Sequence, residues 1–368
     1  MFEKHRVCVC CHKTFPSDRI IFECDRCKGP LDIVYDYQNI MKFLKRDLSE
    51  FRLAQPSHWK YWPFYPIKEA NDVVSLDEGA TPLLESNKHS NLLFKYEATN
   101  PTCSFKDRGS TIEISKAKEH RVKEVVCAST GNMGASVAAY SARAGLKCTI
   151  YLPVFAPKQK ANQIRSYGAE VIKVRGTYDD AVKKTVELRK EKHIYLTGDY
   201  VYRGEGEKSV GFEIIDQLQF TPPKYIVMPI GNATLFSSVC KSLVEFKEVG
   251  LLKRMPKLVG VQAKGCNPIV QAFSRKKGIP FIKSPKTIAT AIACGRPVDA
   301  IKALRALKET NGLVVDVTDR QILEARKELG KEGLFVEPSG AVSYAGWKKL
   351  GLKGEAVCVL TGHGLKTY

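Results

Sequence analysis

From residue 123 onwards, short apolar runs alternate with longer amphipathic runs, and this alternation constrains the fold more than any other feature. Runs such as KEVVCAST, KCTIYLP and KYIVMPIG predict buried strands, and intervening runs such as YDDAVKKTVELRKEK have the apolar spacing of helices. Strands that alternate with helices form βαβ units, whose sheets are parallel and carry helices on both faces. The sequence therefore predicts an α/β protein, and 368 residues suffice for two or three domains.

The composition argues against two classes of protein. Lys and Arg exceed Asp and Glu by 58 to 39, which gives a net charge of +19, but the lysines are spread along the chain and no basic run is interleaved with aromatic residues. We therefore expect no nucleic-acid partner. We expect instead that the positive charge creates a general field that attracts anionic small molecules. The chain has no window of about 18 apolar residues, and its start, MFEKHRVCVC, has no apolar signal core. We expect a cytoplasmic protein with no membrane contact.

Two Cys-x-x-Cys turns near the start, Cys8 with Cys11 and Cys24 with Cys27, predict a zinc site. Each turn presents two thiolates, and the twelve residues between the pairs let them close a tetrahedron around one ion. Disulfides are the alternative, but a cytosolic chain disfavours them. Cys10 could replace Cys8 only through a tighter turn. Four protein ligands leave no open position on the metal, so the zinc would be structural.

Ligands of parallel α/β sheets bind at the carboxyl ends of the strands, and three glycine-containing turns follow predicted strands here. The turn STGNMGAS could hold a carboxylate with the hydroxyls and amides of Ser129, Thr130, Gly131, Asn132 and Met133. The turn PIGNATL could cradle a phosphate with the amides of Gly231, Asn232, Ala233, Thr234 and Leu235. The third turn, LTGHGLK, places the hydroxyl of Thr361 at a strand end. Each turn alone is also typical of α/β proteins in which it is only structural.

The decapeptide NPTCSFKDRG, residues 100–109, sets Lys106 in a specific frame of a turn, small residues and one aromatic ring. A lysine that is framed and partly desolvated can form a Schiff base with a carbonyl group. Together with a phosphate cradle, a carboxylate loop and a hydroxyl at a strand end, it completes the set of groups that bound pyridoxal phosphate requires. The alternative is a charged helix start after a turn, with no chemical role.

These stretches resemble the motifs of the threonine synthases, which are fold-type II pyridoxal-phosphate enzymes. The motifs that carry the resemblance are NPTCSFKDRG, ASTGNMGASVAAYSARAG, PIGNATL, VEPSGAVSYAG, LTGHGLK, EGATPL (78–83) and PKTIATAI (285–292). The cysteine pairs followed by GPLDIVYDY are also similar to the zinc-binding start of many archaeal and bacterial members. The resemblance implies a fold like that of the tryptophan synthase β subunit, in which two parallel-sheet α/β domains hold the cofactor between them, with a small N-terminal zinc ribbon added.

The resemblance also implies roles for single residues. Lys106 would form the Schiff base with pyridoxal phosphate, and Phe105 would pack near the cofactor. Asn132 would bond the ring hydroxyl, the amides of residues 231–235 would hold the cofactor phosphate, and Thr361 would face the pyridine nitrogen. We expect Asp107 and Arg108 to hold the lysine segment as a local ion pair.

The expected organisation has four parts. Residues 1–40 form the zinc-ribbon knuckle, and 41–122 form a connector and the first part of the large domain, which carries Lys106. Residues 123–200 form the smaller α/β domain with the carboxylate loop, and 201–368 complete the large domain with the phosphate loop. The family resemblance also leads us to expect a homodimer.

One stretch departs from the family. Threonine synthases commonly have a segment like NSxNPxRxEGQKT that helps to hold the substrate phosphate, and this chain has TGDYVYRGEGEKSV at residues 197–210. Arg203 is retained, and Glu207 replaces a glutamine. We expect Arg203 to bind the distal anion of the substrate through its two-pronged guanidinium. The alternative is that Arg203 pairs with Glu205 or Glu207 and only orders the loop.

The expected activity is pyridoxal-phosphate-dependent conversion of O-phospho-L-homoserine and water to L-threonine and phosphate. Because the 197–210 stretch is altered, two other enzymes stay open. One is a β-replacement enzyme on O-phosphoserine, similar to cysteate synthase or a phosphoserine sulfhydrylase, and the other is a serine/threonine dehydratase. A zinc-ribbon binding protein with a vestigial enzyme fold is the remaining alternative.

Overall fold

The computed structural model describes residues 2–46, 48–129, 131–154, 156–192, 194–198, 200–275 and 278–367. The strands are β1 (Glu3–Cys8), β2 (Thr14–Phe15), β3 (Leu31–Tyr35), β4 (Leu83–Glu85), β5 (Leu92–Tyr96), β6 (Glu124–Ala128), β7 (Lys147–Pro153), β8 (Glu170–Val174), β9 (Tyr195–Thr197), β10 (Tyr225–Pro229), β11 (Lys257–Ala263), β12 (Leu313–Val317) and β13 (Ala356–Leu360).

The α-helices are α1 (Tyr37–Arg46), α2 (Leu48–Leu53), α3 (Lys106–Glu119), α4 (Asn132–Arg143), α5 (Lys158–Ser166), α6 (Tyr178–Lys192), α7 (Val201–Glu207), α8 (Ser209–Gln217), α9 (Thr234–Glu248), α10 (Pro268–Arg275), α11 (Ala300–Glu309), α12 (Asp319–Lys331) and α13 (Pro338–Leu350). Short 3-10 turns cover His58–Phe64, Ala70–Asp72, Glu97–Thr99, Thr290–Ile292 and Gly364–Thr367. Within the described residues, no helix combines the length and the apolar character needed to cross a membrane.

The strands form three sheets, and the α/β class predicted from the sequence is confirmed. A small antiparallel sheet, in the order β2-β1-β3, forms the N-terminal ribbon. A four-stranded parallel sheet, in the order β8-β7-β6-β9, uses residues 124–197. A six-stranded sheet, in the order β12-β11-β10-β13-β5-β4, is parallel except for β4, which runs antiparallel to β5 at one edge. The boundaries expected at residues 40, 122 and 200 stay a prediction.

Several elements coincide with the predicted runs because their periodicity is strong. Strands β7 and β11 and helix α6 begin and end where the runs KCTIYLP, KLVGVQA and YDDAVKKTVELRKEK do. Sequence analysis did not identify β5 and β12. Each has only five residues, and a charged residue interrupts each apolar run, Lys95 in β5 and Asp316 in β12.

Two helices that cross near the middle of the molecule, α3 and α7, lie against each other through glycines. A side-chain carbon added at Gly206 of α7 would lie 1.9 Å from the carbonyl oxygen of Arg108, and one added at Gly109 of α3 would lie 2.8 Å from Arg203. Real Cβ atoms are not found at such distances, so glycine is required at both positions for the helices to approach this closely. Eleven consecutive residues of α3, from Asp107 to Ala117, are buried.

Arg108 is fully buried at the centre of a charged network. Its guanidinium donates to Glu97 at 2.7 and 2.8 Å and to both carboxylate oxygens of Glu213 at 3.0 Å. Lys95 approaches the same Glu213 at 2.5 Å. Burial alone would raise the pKa of Glu213, but the two cations Arg108 and Lys95 hold it well below its usual value. The network ties β5, α3 and α8 together.

The expected ion pair between Asp107 and Arg108 is wrong. The carboxylate of Asp107 accepts hydrogen bonds from the backbone amide and the hydroxyl of Thr102, both at 2.6 Å, and burial raises its pKa to about 6. Consecutive helical residues project in different directions, so their side chains do not face each other. Both residues hold the lysine segment, but each does so through its own partners.

We predict that Arg108→Ala lowers the free energy of unfolding by about 3 to 5 kcal/mol, because two buried carboxylates lose their counter-charge. Urea denaturation followed by circular dichroism measures this. Arg320→Ala, which removes an exposed pair with Glu324, serves as the control and should change stability little. An equally small effect at Arg108 would contradict the importance of the network.

Candidate active site

A cleft with about 810 Å³ of empty space, including the open solvent at its mouth, brings together residues that are far apart in the sequence. Its lining comes from the start of α3, the turn between β6 and α4, the start of α6, the turn between β10 and α9, the 3-10 turn at 290–292, the start of α13 and the end of β13. Residues attached to both parallel sheets therefore face the same space. The cleft lies at carboxyl ends of parallel strands, where α/β proteins bind ligands.

Lys106 is the first residue of α3 and lines the cleft with its side chain 18% exposed. Its Nζ lies 2.8 Å from Oε1 of Glu207 and 4.4 Å from the centre of the Phe105 ring. The amide of Phe105 donates to the carbonyl of Thr361 at 3.1 Å, so the lysine segment is fastened to the end of β13. Cys103 adopts a left-handed φ of 64° in the same turn.

The turn before α4 supplies the predicted carboxylate loop. The hydroxyl oxygen of Ser129 accepts from the amides of Gly131 at 2.9 Å and Gly134 at 2.8 Å, which leaves its hydrogen available to a ligand. Ser129, Asn132 and Met133 line the cleft. Gly131 has a φ of 145°, and an added Cβ would lie 2.1 Å from the side chain of Lys160. The predicted contact at Thr130 lies outside the described residues.

Asn132 is held by a carboxylate that sequence analysis did not assign. Its amide nitrogen donates to Oε1 of Glu337 at 2.6 Å, and Lys160 pairs with Oε2 of the same carboxylate at 3.0 Å. All three side chains are buried, and Glu337 lines the cleft. Because a carboxylate only accepts hydrogen bonds, this contact fixes which end of the Asn132 amide is the nitrogen. The Asn132 oxygen is buried and has no hydrogen-bond partner among the described residues.

The turn after β10 supplies the predicted phosphate loop. A Cβ added at Gly231 would lie 3.1 Å from the backbone of Ile292, which is tighter than most Cβ contacts, and Ala233 adopts a left-handed φ of 70° just before α9 begins. The first amides of a helix have no intrahelical acceptor and carry positive partial charge, which suits a phosphate. The side-chain oxygen of Asn232 accepts from the thiol of Cys294 at 2.8 Å, and both residues line the cleft.

These groups fit pyridoxal phosphate. The unpartnered oxygen of Asn132 needs a donor, and a ring hydroxyl can donate to it. Thr361 lines the cleft with a neutral hydroxyl, and the amides at the start of α9 face the same space as Lys106. The structure thus brings together the predicted cofactor residues that it describes: Phe105, Lys106, Asn132, Gly231, Asn232, Ala233, Thr234, Leu235 and Thr361.

Arg203 is not among the described residues that line the cleft. Its guanidinium is fully buried beneath the lysine, where it pairs with Glu113 and donates to the carbonyls of Gly198 at 3.1 Å and Lys106 at 3.3 Å. It also lies 3.8 Å from Glu207. The structure therefore does not bring Arg203 together with the other predicted substrate residues. Its main partner, Glu113, comes from α3 and not from its own loop.

The four predicted zinc ligands lie together in the ribbon. The Sγ atoms of Cys8 and Cys27 are 3.4 Å apart, those of Cys11 and Cys24 are 3.6 Å apart, and all four lie within 4.8 Å of one another. Zinc–sulfur bonds of about 2.3 Å place tetrahedral thiolates at comparable separations, so the cluster fits a structural zinc ion. Cys10 is exposed and is not part of this group.

Sequence analysis missed Glu337 and the contact of Glu207 with Lys106. The sequence around both residues carried a signal, but it did not identify the residues that they contact. Glu337 stands before a proline at a helix start in VEPSG, and Glu207 replaces a family glutamine. Neither pattern indicates that the carboxylate meets a residue 205 or 101 positions away. Tyr178 was also missed, and it lines the cleft from the start of α6.

Comparison with known proteins places these features in a family. The profile of the family described as pyridoxal-phosphate-dependent enzymes matches residues 74–362. A threonine synthase of Methanocaldococcus jannaschii is 44% identical over 375 residues, which cover 98% of this chain and 92% of the relative. A threonine synthase of Methanosarcina acetivorans is 41% identical over 380 residues, with the same two coverages. The solved threonine deaminase isoform 2 of Solanum lycopersicum superposes with a TM-score of 0.69 at 21% identity, over 94% of this chain and 95% of that one, which shows the fold alone.

We predict that the purified protein carries about one zinc ion per chain and that Cys24→Ser lowers this content. The variant should lose order in the ribbon, which limited proteolysis detects, and should keep the visible absorbance of bound cofactor. The reason is that the cleft is lined by described residues that all lie outside the ribbon. Cys10→Ser is the control and should retain zinc. Protein made with zinc present that holds less than about half an equivalent would contradict the site.

We predict that Arg203→Lys lowers the free energy of unfolding by about 1 to 3 kcal/mol, because the buried guanidinium loses hydrogen bonds to charged and carbonyl partners. The measurement is denaturation without substrate. An arginine that served only to bind a distal anion would leave the stability of the free protein unchanged. Unchanged stability together with a lower kcat/KM for a phosphorylated substrate would instead support the role expected from the sequence, in which Arg203 binds the distal anion of the substrate.

Proposed function

This chain belongs to the threonine synthase family of pyridoxal-phosphate-dependent enzymes, and we propose that it converts O-phospho-L-homoserine and water to L-threonine and phosphate. The observation that carries the proposal is Lys106, which lines a cleft together with the predicted phosphate turn and the buried Asn132 oxygen, which has no hydrogen-bond partner within the described part of the chain. The retained motifs on all sides of this cleft argue against a vestigial enzyme fold.

Residues of this chain would hold the cofactor at several points. Lys106 would bind it covalently, the amides of residues 231–235 would hold its phosphate, and Asn132 would bond its ring hydroxyl. Thr361 would face the ring nitrogen with a neutral hydroxyl, which does not require the nitrogen to be protonated. When bound, pyridoxal phosphate withdraws electrons from Cα of the substrate, which makes loss of the α-proton accessible.

Substrate binding would use the loop before α4. Ser129 accepts two amide hydrogens and so keeps its own hydrogen to donate to the α-carboxylate. The amides of Asn132 and Met133 open α4, where the helix dipole also favours a negative charge. The net charge of +19 adds a field that attracts a phosphorylated amino acid.

Proton transfer would belong to Lys106. With the substrate bound, the free amine of Lys106 would act as the general base, taking the α-proton, passing it on, and then taking a proton from Cβ. Phosphate would leave from Cγ with the electron pair of the C–O bond. A proton would then be returned to Cγ and another to Cα, while water would give its hydroxyl to Cβ and its remaining proton to the phosphate, so that threonine and phosphate account for all atoms. The partly buried aromatic ring of Phe105 and the low exposure of Lys106 limit the access of water to the amine.

Three further properties stay proposals of the same account. The division into residues 1–40, 41–122, 123–200 and 201–368 is supported by the three separate sheets. A homodimer is expected from the family resemblance, and light scattering on the purified protein tests it. The cytoplasmic location stays the expectation drawn from the sequence.

We predict that the protein releases phosphate and L-threonine in equal amounts from O-phosphohomoserine. It should be incubated separately with O-phosphohomoserine, O-phosphoserine, serine and threonine, with phosphate, ammonia and amino-acid products measured in each case. Because Arg203 lies outside the cleft, the dehydratase is the alternative to be tested most closely. Ammonia from serine or threonine at a higher kcat/KM than that for O-phosphohomoserine would establish that alternative. Preferred use of O-phosphoserine would indicate a β-replacement enzyme.

We predict that Lys106→Ala abolishes turnover and the visible absorbance of the lysine-bound cofactor, because no other lysine is among the described residues that line the cleft. Absorbance spectra of the reconstituted proteins and the phosphate assay measure both effects. Lys118→Ala removes an exposed lysine of the same helix and is the control, which should behave like the wild type. Full activity of Lys106→Ala would contradict the site.

A further inference from the structure

The carboxylate of Glu207 lies 2.8 Å from the Nζ of Lys106, the atom that would react with the cofactor. Glu207 is fully buried, and the lysine side chain is largely buried, so water screens this pair poorly. A contact between a buried carboxylate and an amine of this kind depends on the charge of the amine. The pair therefore has to be considered in each protonation state through which the lysine passes.

We propose that Glu207 is a catalytic residue, whose carboxylate holds the Lys106 amine and stabilises the ammonium that this lysine becomes when it takes the α-proton. The proposal rests on the proposed function of Lys106. In this step the lone pair of Nζ forms a new N–H bond, and the electron pair of the broken Cα–H bond stays with the substrate and the cofactor. Glu207 remains a carboxylate throughout, so no additional proton donor or acceptor is needed.

The position of Glu207 is fixed by the packing of α7. Gly206 lies against the carbonyl of Arg108 with no room for a side chain, and Arg203, one turn earlier, donates to the carbonyl of Lys106. Helix α7 is thus held to α3 immediately before the glutamate and one turn earlier. Arg203 lies 3.8 Å from Oε1 of Glu207 and orients the carboxylate while sharing its charge with Glu113.

A carboxylate differs here from the glutamine that threonine synthases commonly have. A glutamine oxygen can accept a hydrogen bond from the lysine in either protonation state, but it carries no charge. A carboxylate accepts the same hydrogen bond and balances the positive charge as well, which makes charged hydrogen bonds about twice as strong as neutral ones. The substitution therefore favours the protonated nitrogen of Lys106 over the neutral one.

Other charged groups surround this pair, and they come from the elements that pack against α7. These groups are Lys106, Arg108 and Glu113 from α3, Arg203 and Glu205 from α7 itself, Lys208 after it, Lys241 and Glu245 from α9, and Asp32 from β3. Glu337, which lines another part of the cleft, pairs with Lys160. Glu205, two residues before Glu207, points the other way. It accepts from Tyr35 of the ribbon at 2.7 Å and pairs with Lys208 and Lys241 at 2.6 Å.

The test compares Glu207→Gln with the wild type as holoenzymes. Visible absorbance is titrated with pH, since it reports whether the nitrogen that joins Lys106 to the cofactor is protonated. Removing an adjacent negative charge should lower the midpoint of this transition by about 1 to 3 pH units. The kcat for phosphate release should fall at least about tenfold with KM nearly unchanged, because Glu207 is not among the described residues that line the substrate cleft.

Glu205→Gln is the matched control, because it also removes a buried carboxylate from α7. It should lower the melting temperature through loss of its partners, and its absorbance midpoint should stay at the wild-type pH. Glu207→Asp keeps the negative charge, so the pH midpoint of its absorbance transition should lie between those of Glu207→Gln and the wild type. Two results would overturn the proposal. One is an absorbance midpoint of Glu207→Gln at the same pH as that of the wild type, and the other is that neither protein shows an absorbance transition between about pH 6 and pH 10. A wild type that shows no lysine-bound cofactor would instead overturn the proposed function.

Discussion

The close approach of α3 and α7 is the constraint on which the active site depends. Gly109 and Gly206 allow the backbones to lie against each other, and no larger residue fits at Gly206, where a Cβ would lie 1.9 Å from a carbonyl oxygen. Helix α3 begins with Lys106, and α7 ends with Glu207. The contact between the reactive amine and the carboxylate is therefore a consequence of the helix packing. Side-chain flexibility plays little part in it, because Glu207 is fully buried.

Helix α7 also links the cleft to the N-terminal ribbon. Its Glu205 faces Tyr35 and Lys241, and Lys241 in turn pairs with Asp32 at 2.5 Å. The same seven-residue helix thus holds the ribbon on one side and the lysine on the other. Zinc bound by the four thiolates would hold the ribbon in a fixed conformation and so stabilise this contact. The described residues that line the cleft lie outside the ribbon, which agrees with a structural role for zinc.

Much of the fold could be predicted from the sequence, because strands and helices with strong periodicity begin and end where the pattern of apolar residues does, as in β7 and α6. The residues of the cleft could be predicted as separate motifs, since a lysine frame, a glycine turn and a strand-end threonine are local patterns. Long-range pairings could not be predicted. Nothing near Arg203 indicates that Glu113 neutralises it, and nothing near Asn132 indicates that Glu337 occupies its amide nitrogen. Such contacts depend on how elements pack, and packing is not visible in a single sequence.

We propose that pyridoxal phosphate binds covalently to Lys106. Reduction of the holoenzyme with borohydride fixes the cofactor to its lysine, and peptide mapping by mass spectrometry then identifies the residue. The account predicts a single pyridoxyl group on the peptide that contains NPTCSFKDRG, at Lys106. Labelling of a different lysine, such as Lys160 or Lys366, would contradict it.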